Sequence, residues 1–135
     1  MPSRLSETTG IAQLGLTIPN AVWLTSNQRL HWAAKAKRTA TIRQLAAVQA
    51  RNLGIEPMMQ VHVAAFIGYP TSAKADPPNA APAVKAAIDG LTDAGVWPDD
   101  DSEHVVAVEF RREVGKCKKG HHTIRLVLTD QQLEF

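Results

Sequence analysis

Between Asp76 and Glu103 the sequence reads DPPNAAPAVKAAIDGLTDAGVWPDDDSE, and 7 of the chain's 13 acidic residues fall in that stretch beside a single base, Lys85. Divalent cations such as Mg²⁺ prefer hard oxygen ligands and are commonly held by one or two carboxylates together with water and phosphate. Asp76, Asp89, Asp99, Asp100 and Asp101 are therefore candidate metal ligands. Ions held in this way polarise a phosphodiester and activate a water for in-line attack. Three successive Asp residues also repel one another unless solvent or a counterion offsets the charge. Pro-Asp-Asp-Asp-Ser is equally good turn chemistry, so a metal site and a plain acidic surface turn both fit these residues.

Asp76 precedes a predicted helix over residues 80–94, whereas the Asp run follows it. About 15 helical residues separate the two ends by roughly 22 Å, so the helix alone does not bring these carboxylates together. Asp89 stands one turn beyond Lys85 on the same face. Closure requires the loop after Gly95 to fold back along the helix. Trp97 is expected to lock that loop. Trp23, Trp32 and Trp97 all have two readings, as stacking surfaces for bases or as buried anchors, and burial is the commoner use of so large a side chain.

The net charge is only +2, with a sequence pI near 8.9. Its distribution says more: basic residues gather in Arg29–Arg51 and in Arg111–Arg125, on either side of the acidic centre. Lys35, Lys37 and Arg38 in the first arm, and Lys116, Lys118 and Lys119 in the second, are candidate contacts to a nucleic-acid backbone. Solvated faces are the alternative reading of both arms. Cys117, His121 and His122 offer three crowded ligands where structural zinc usually takes four.

The elements that must position these groups follow from periodicity. Ile11–Ile18 alternates as a first strand ended by Pro19. Residues 32–53 form a basic helix with Ile42, Leu45, Ala46 and Val48 as its apolar face and Gly54 as its stop. Residues 58–69 make a second strand. Pro82 opens the second helix, whose apolar face is Val84, Ile88 and Leu91, and Gly95 follows its end. Residues 105–110 and 122–128 make the third and fourth strands, with REVGKCKKGHH between them as a long hairpin loop. The expected fold is one small α/β domain over residues 11–135, with a mixed four-stranded sheet and two main helices in the order strand, helix, strand, helix, strand, strand. Residues 1–10 are expected to be a loose terminus.

With 135 residues, 44% of them hydrophobic and 21% charged, the chain is ordinary for one globular domain. Apolar runs such as Val61–Ile67 are far shorter than the roughly 20 residues that span a bilayer. The opening MPSRLSETTG lacks the apolar core of a secretory signal and Cys117 is alone, so a cytoplasmic location without a membrane role is expected.

The string KAAIDGLTDAGVWPDDDS, following DPPN, resembles the core signature of the RusA-type Holliday-junction resolvases. That family carries Asp-x-Asp-Asn before a helix bearing Lys, then a Gly-aromatic loop and an Asp-Asp pair. IPNAVWLTSNQR resembles its Pro-rich, Asn-containing opening, which adds Asn27 and Arg29 to the expected DNA contacts. The resemblance implies a homodimeric, Mg²⁺-dependent endonuclease, with Mn²⁺ as a possible substitute, that cuts branched DNA such as a four-way junction. It makes Asp76 the first metal-binding Asp, Asn79 the Asn that follows, Lys85 the phosphate-handling Lys and Asp100 the later catalytic Asp. Asp99 or Asp101 fits that last role too, because three Asp stand where the family shows two. Two departures stand out: Pro78 replaces the second Asp, and Asn79 and Lys85 are three residues further apart than in the family pattern. Either Asp89, Asn79 or another member of the Asp run substitutes for the missing carboxylate, or the chain is a weakened or inactive DNA-binding module of the same fold.

Overall fold

A computed structural model describes residues 10–130. The expected loose terminus, apart from Gly10, and the last five residues of the expected domain lie outside that range. The elements are β1 (Ile11–Pro19), α1 (Trp32–Leu53), β2 (Val61–Gly68), a 3-10 turn (Pro77–Ala80), α2 (Ala81–Asp93), β3 (Val105–Arg112) and β4 (His121–Asp130). Their order is the one expected from the sequence, and the strands form one mixed sheet. None of the described helices is long and apolar enough to cross a membrane.

The sheet runs β1-β4-β2-β3, with β4 antiparallel to both its neighbours and β2 parallel to β3. The expected hairpin between the third and fourth strands is therefore incorrect. The intervening segment crosses the end of β2 instead, where Glu113 N–H donates to the Ile67 carbonyl at 2.9 Å and Cys117 N–H to the Tyr69 carbonyl at 2.9 Å. Burial explains the placement. On β4, Ile124, Leu126 and Leu128 are fully buried and suit an interior strand, whereas β3 has no fully buried residue and takes the edge.

One sheet face is lined by Leu14, Leu16 and Ile18 of β1, Val61, Val63, Ala65 and Ile67 of β2, and the three β4 residues, all within the core. On α1 the buried positions are Ile42, Ala46, Ala47 and Ala50. Leu45 and Val48, expected on the apolar face, are instead 39% and 44% exposed. The true stripe runs Ile42, Ala46, Ala50 at four-residue spacing, and its small side chains let α2 come close. Gly90 is the other half of that approach: a Cβ there would strike the Arg43 carbonyl oxygen and stand 2.8 Å from the Ala46 Cβ. Gly90→Ala is expected to lower stability by about 1–3 kcal/mol through overpacking, although alanine is the better helix former by ~1 kcal/mol. Urea unfolding measures this, and an unchanged or raised midpoint would contradict the close helix contact.

Candidate active site

Helix α2 carries Val84, Ile88 and Leu91 into the core, which leaves Lys85 exposed and Asp89 half-buried on its outer side. Lys85 stands four residues into the helix, about 6 Å along its axis. After Asp93 the chain turns through Gly95, whose φ of 81° is left-handed. Val96 N–H then donates to the Leu91 carbonyl at 3.0 Å, and the Val96 carbonyl accepts from Met58 N–H at 2.7 Å. Trp97 is only 1% exposed, and its Nε1 donates to Thr92 Oγ1 at 2.7 Å. The returning loop is thus fastened to both the helix and the segment before β2, as expected for Trp97.

This return delivers Asp100 to Lys85. The ammonium Nζ donates to Asp89 Oδ1 at 3.0 Å and to Asp100 Oδ2. The other two members of the run do not bond to Lys85. Asp99 Oδ1 accepts from the Asp100 backbone N–H at 2.8 Å. Asp101 Oδ1 accepts from Glu103 N–H at 3.0 Å and lies 2.7 Å from His104 Nδ1, closing the turn before β3. Of the three, Asp100 is the one that meets Lys85.

The electrostatics follow from this crowding. Burial pushes the Asp89 carboxyl above its ordinary 3.8, and a hydrogen bond from Asp89, with a second from Lys85, holds Asp100 down at about 2. The hydrogen bond to Asp100 raises Lys85 in turn, so its charge is secure at neutral pH. As a group with a depressed folded value, Asp100 adds stability that is complete above 3.8 and is lost as pH falls toward about 2. Asp89 has the opposite sign, because the folded state favours its protonated form. Carboxyl carbon NMR is expected to show two steps on either side of 3.8, with Asp89 titrating above it and Asp100 at about 2. A single joint step near 3.8 would contradict the shared geometry.

Asp76 is not joined to this cluster: the cavity it lines includes none of Lys85, Asp89 and Asp100. Its exposed carboxylate makes no capping bond to the 3-10 turn, and it lines a cavity of about 210 Å³ with Asn27, Asn79, Trp23, Tyr69 and His122. The loop after β1 is tied to the turn where Ser26 N–H donates to the Asn79 carbonyl at 2.9 Å. Trp23 stacks on His122 with ring centroids 4.5 Å apart and planes 9° apart. The His122 Nδ1–H donates to Asn20 Oδ1 at 2.7 Å, and burial lowers the His122 pKa, favouring the neutral ring. Tyr69 was not expected at a site, and Trp23, read as a base stacker or a buried anchor, and His122, read beside Cys117 and His121, were not expected to meet beside Asp76. The three arrive from three distant segments, and no local spacing in the sequence announces them.

Pro78 lies exposed within the 3-10 turn. Among the described residues no three His, Cys, Asp or Glu side chains are placed as a metal cage. Asp89 and Asp100 do already share one cation, the Lys85 ammonium. Two convergent carboxylates fit an open site of the kind in which water and substrate phosphate complete the coordination of Mg²⁺.

The expected DNA contacts divide into two groups. Arg38 is half-buried and donates Nη1 to the Trp23 carbonyl at 2.9 Å, so its guanidinium fastens the loop to α1. Arg29, Lys35 and Lys37 near the start of α1, and Lys116, Lys118 and Lys119 beyond β3, are exposed and enter no ion pair among the described residues. Arg112, in the second basic arm, donates to the Thr71 and Ala73 carbonyls at 3.0 and 2.9 Å. Its guanidinium lies 4.9 Å from the centre of the Tyr69 ring. Cys117, His121 and His122 do not gather as zinc ligands, since Cys117 Sγ faces the His121 carbonyl, His121 Nδ1 the Lys119 carbonyl and His122 Nδ1 the Asn20 side chain. No family profile matches the chain, and no curated protein matches it significantly.

Proposed function

We propose that this chain is a divalent-cation-dependent endonuclease that nicks branched DNA in the manner of the RusA-type resolvases it resembles, acting as a cytoplasmic homodimer. The observation that carries the reading is the meeting of Lys85, Asp89 and Asp100, which come from a helix and from a loop that returns along it. A bound Mg²⁺, or Mn²⁺ in its place, supplies charge to the scissile phosphate and a more acidic water. Asp89 and Asp100 hold it. Lys85 steadies the phosphate or leaving oxygen, and its exposed ammonium is free to pivot from its carboxylate partners toward an incoming anion. Asp76, which lines a cavity with Asn79 and Asn27, is a further candidate ligand. Arg29, Lys35, Lys37, Lys116, Lys118 and Lys119 meet backbone phosphates. A two-fold dimer places one such site on each of two strands, so paired nicks follow from its symmetry.

The test is incubation of the purified chain with a four-way junction and Mg²⁺, beside a linear duplex of the same sequence. Nicking of the junction is expected. A second reading, a DNA-binding module without catalysis, is favoured by Pro78 in place of a carboxylate. It requires junction binding that weakens steeply with salt, no nicking and no dependence on Mg²⁺. Absence of both binding and nicking would remove both readings.

A further inference from the structure

We infer that Trp32 and the groove beside it form a stacking platform for an unstacked nucleobase of the DNA substrate, separate from the acidic site; this rests on the nuclease reading for its choice of polymer. Trp23 and Trp97 are 5% and 1% exposed, whereas Trp32 is 76% exposed. An indole left in water at the start of a long helix contributes nothing to the core, and large exposed aromatics are characteristic of binding surfaces.

The neighbours of Trp32 make a shelf. Trp32, Ala36 and Ala40 recur every four residues beside a second row of Lys35, Thr39 and Arg43, and together they line an open groove of about 420 Å³. The alanines keep the floor low, and Thr39 Oγ1 is turned inward to donate to the Lys35 carbonyl at 2.8 Å. Arg43 is held at the far end by a bidentate bond to Asp93 at 2.6 and 2.8 Å. Lys35 has no acidic partner among the described residues and remains available to a phosphate.

Charge selects the occupant. No Asp or Glu occurs between Glu7 and Glu56, while α1 alone carries Lys35, Lys37, Arg38, Arg43 and Arg51. Arg38, Arg43 and Arg51 are already engaged by the Trp23 carbonyl and by Asp93, and a second copy docked through the same face would set Lys35 and Lys37, unpaired among the described residues, against their own counterparts. A nucleotide answers both features at once, with its base on the indole and its phosphate on Lys35. Aromatic stacking tolerates any base, and branched DNA offers unstacked bases where its strands exchange.

Because Trp32 is the one strongly exposed tryptophan, intrinsic fluorescence reports on it. Titrating the wild-type chain with a four-way junction in the absence of divalent cation is expected to quench the emission, and the Trp32→Phe variant is expected to lose most of that quenching. Trp32→Ala is expected to weaken junction binding about tenfold, with Trp32→Phe retaining most of the affinity. Saturating binding without quenching, or wild-type affinity in Trp32→Ala, would overturn the platform while leaving the nuclease reading in place. Conversion from dimer to monomer by Trp32→Ala in sedimentation without DNA would overturn it in favour of a second copy. Binding and quenching without any Mg²⁺-dependent nicking would uphold the platform and remove the nuclease reading, and failure to bind any DNA would remove both.

Discussion

Asp100→Asn is expected to slow Mg²⁺-dependent nicking of a four-way junction by about 10²–10³-fold, because a transition-state charge interaction of several kcal/mol is lost with little change of shape. The asparagine keeps the size of the side chain and removes the negative charge that Lys85 and Asp89 now face. Asp89→Asn is expected to cost a similar factor. The double variant should lose less than the product of the two, since groups that act as a unit are not additive. Asp101→Asn is the internal control: its oxygen is engaged by Glu103 and His104 in closing a turn, so only a few-fold loss is expected. Single-turnover cleavage at fixed Mg²⁺ measures all four. An Asp101→Asn loss as large as that of Asp100→Asn, or full activity with Asp100 and Asp101 both replaced by Asn, would show that Asp100 has been assigned the wrong role.

Trp97→Ala is expected to cost about 3–5 kcal/mol of stability, the range for removing a large buried aromatic. The indole fills the space between α2 and the returning loop, and its N–H is satisfied by Thr92. Loss of the ring leaves a cavity beneath the loop that holds Asp100 against Lys85. Nicking should therefore fall even at temperatures where the variant is still folded. Trp97→Phe keeps much of the packing and removes only the hydrogen bond, so a smaller loss of stability is expected. Urea unfolding of both variants gives the comparison, and a loss below ~1 kcal/mol for Trp97→Ala would contradict the locking role.

The elements that short-range pattern determines were legible in the sequence. The first helix ends at Leu53 with Gly54 in the left-handed conformation, and Val84, Ile88 and Leu91 form the buried stripe of the second. Long-range pairing was not legible. The segment between Arg112 and His121 has the glycines and bases of a hairpin loop, yet β4 inserts between β1 and β2 because its buried Ile124, Leu126 and Leu128 match both neighbours. Leu45 and Val48 lie off the buried face of the first helix, since hydrophobicity marks the larger side chains while close helix packing selects the alanines. At the site, the i, i+4 spacing brings Lys85 and Asp89 together, but the selection of Asp100 over Asp99 and Asp101 depends on how the loop is pinned by Trp97 and His104. The aromatic wall beside Asp76 and the exposure of Trp32 are products of the tertiary fold, and no spacing rule contains them.

Calorimetric titration of Mn²⁺ into the intact chain, beside the variant carrying both Asp89→Asn and Asp100→Asn, examines the centre of the proposal without relying on any DNA substrate. Saturable binding of the cation to the wild-type chain, abolished in the double variant with its fold intact by circular dichroism, is the expected result. Equal binding by both proteins, or none by the wild type with and without junction DNA present, would mean that the Lys85, Asp89 and Asp100 cluster is an ion pair and not a seat for a cation.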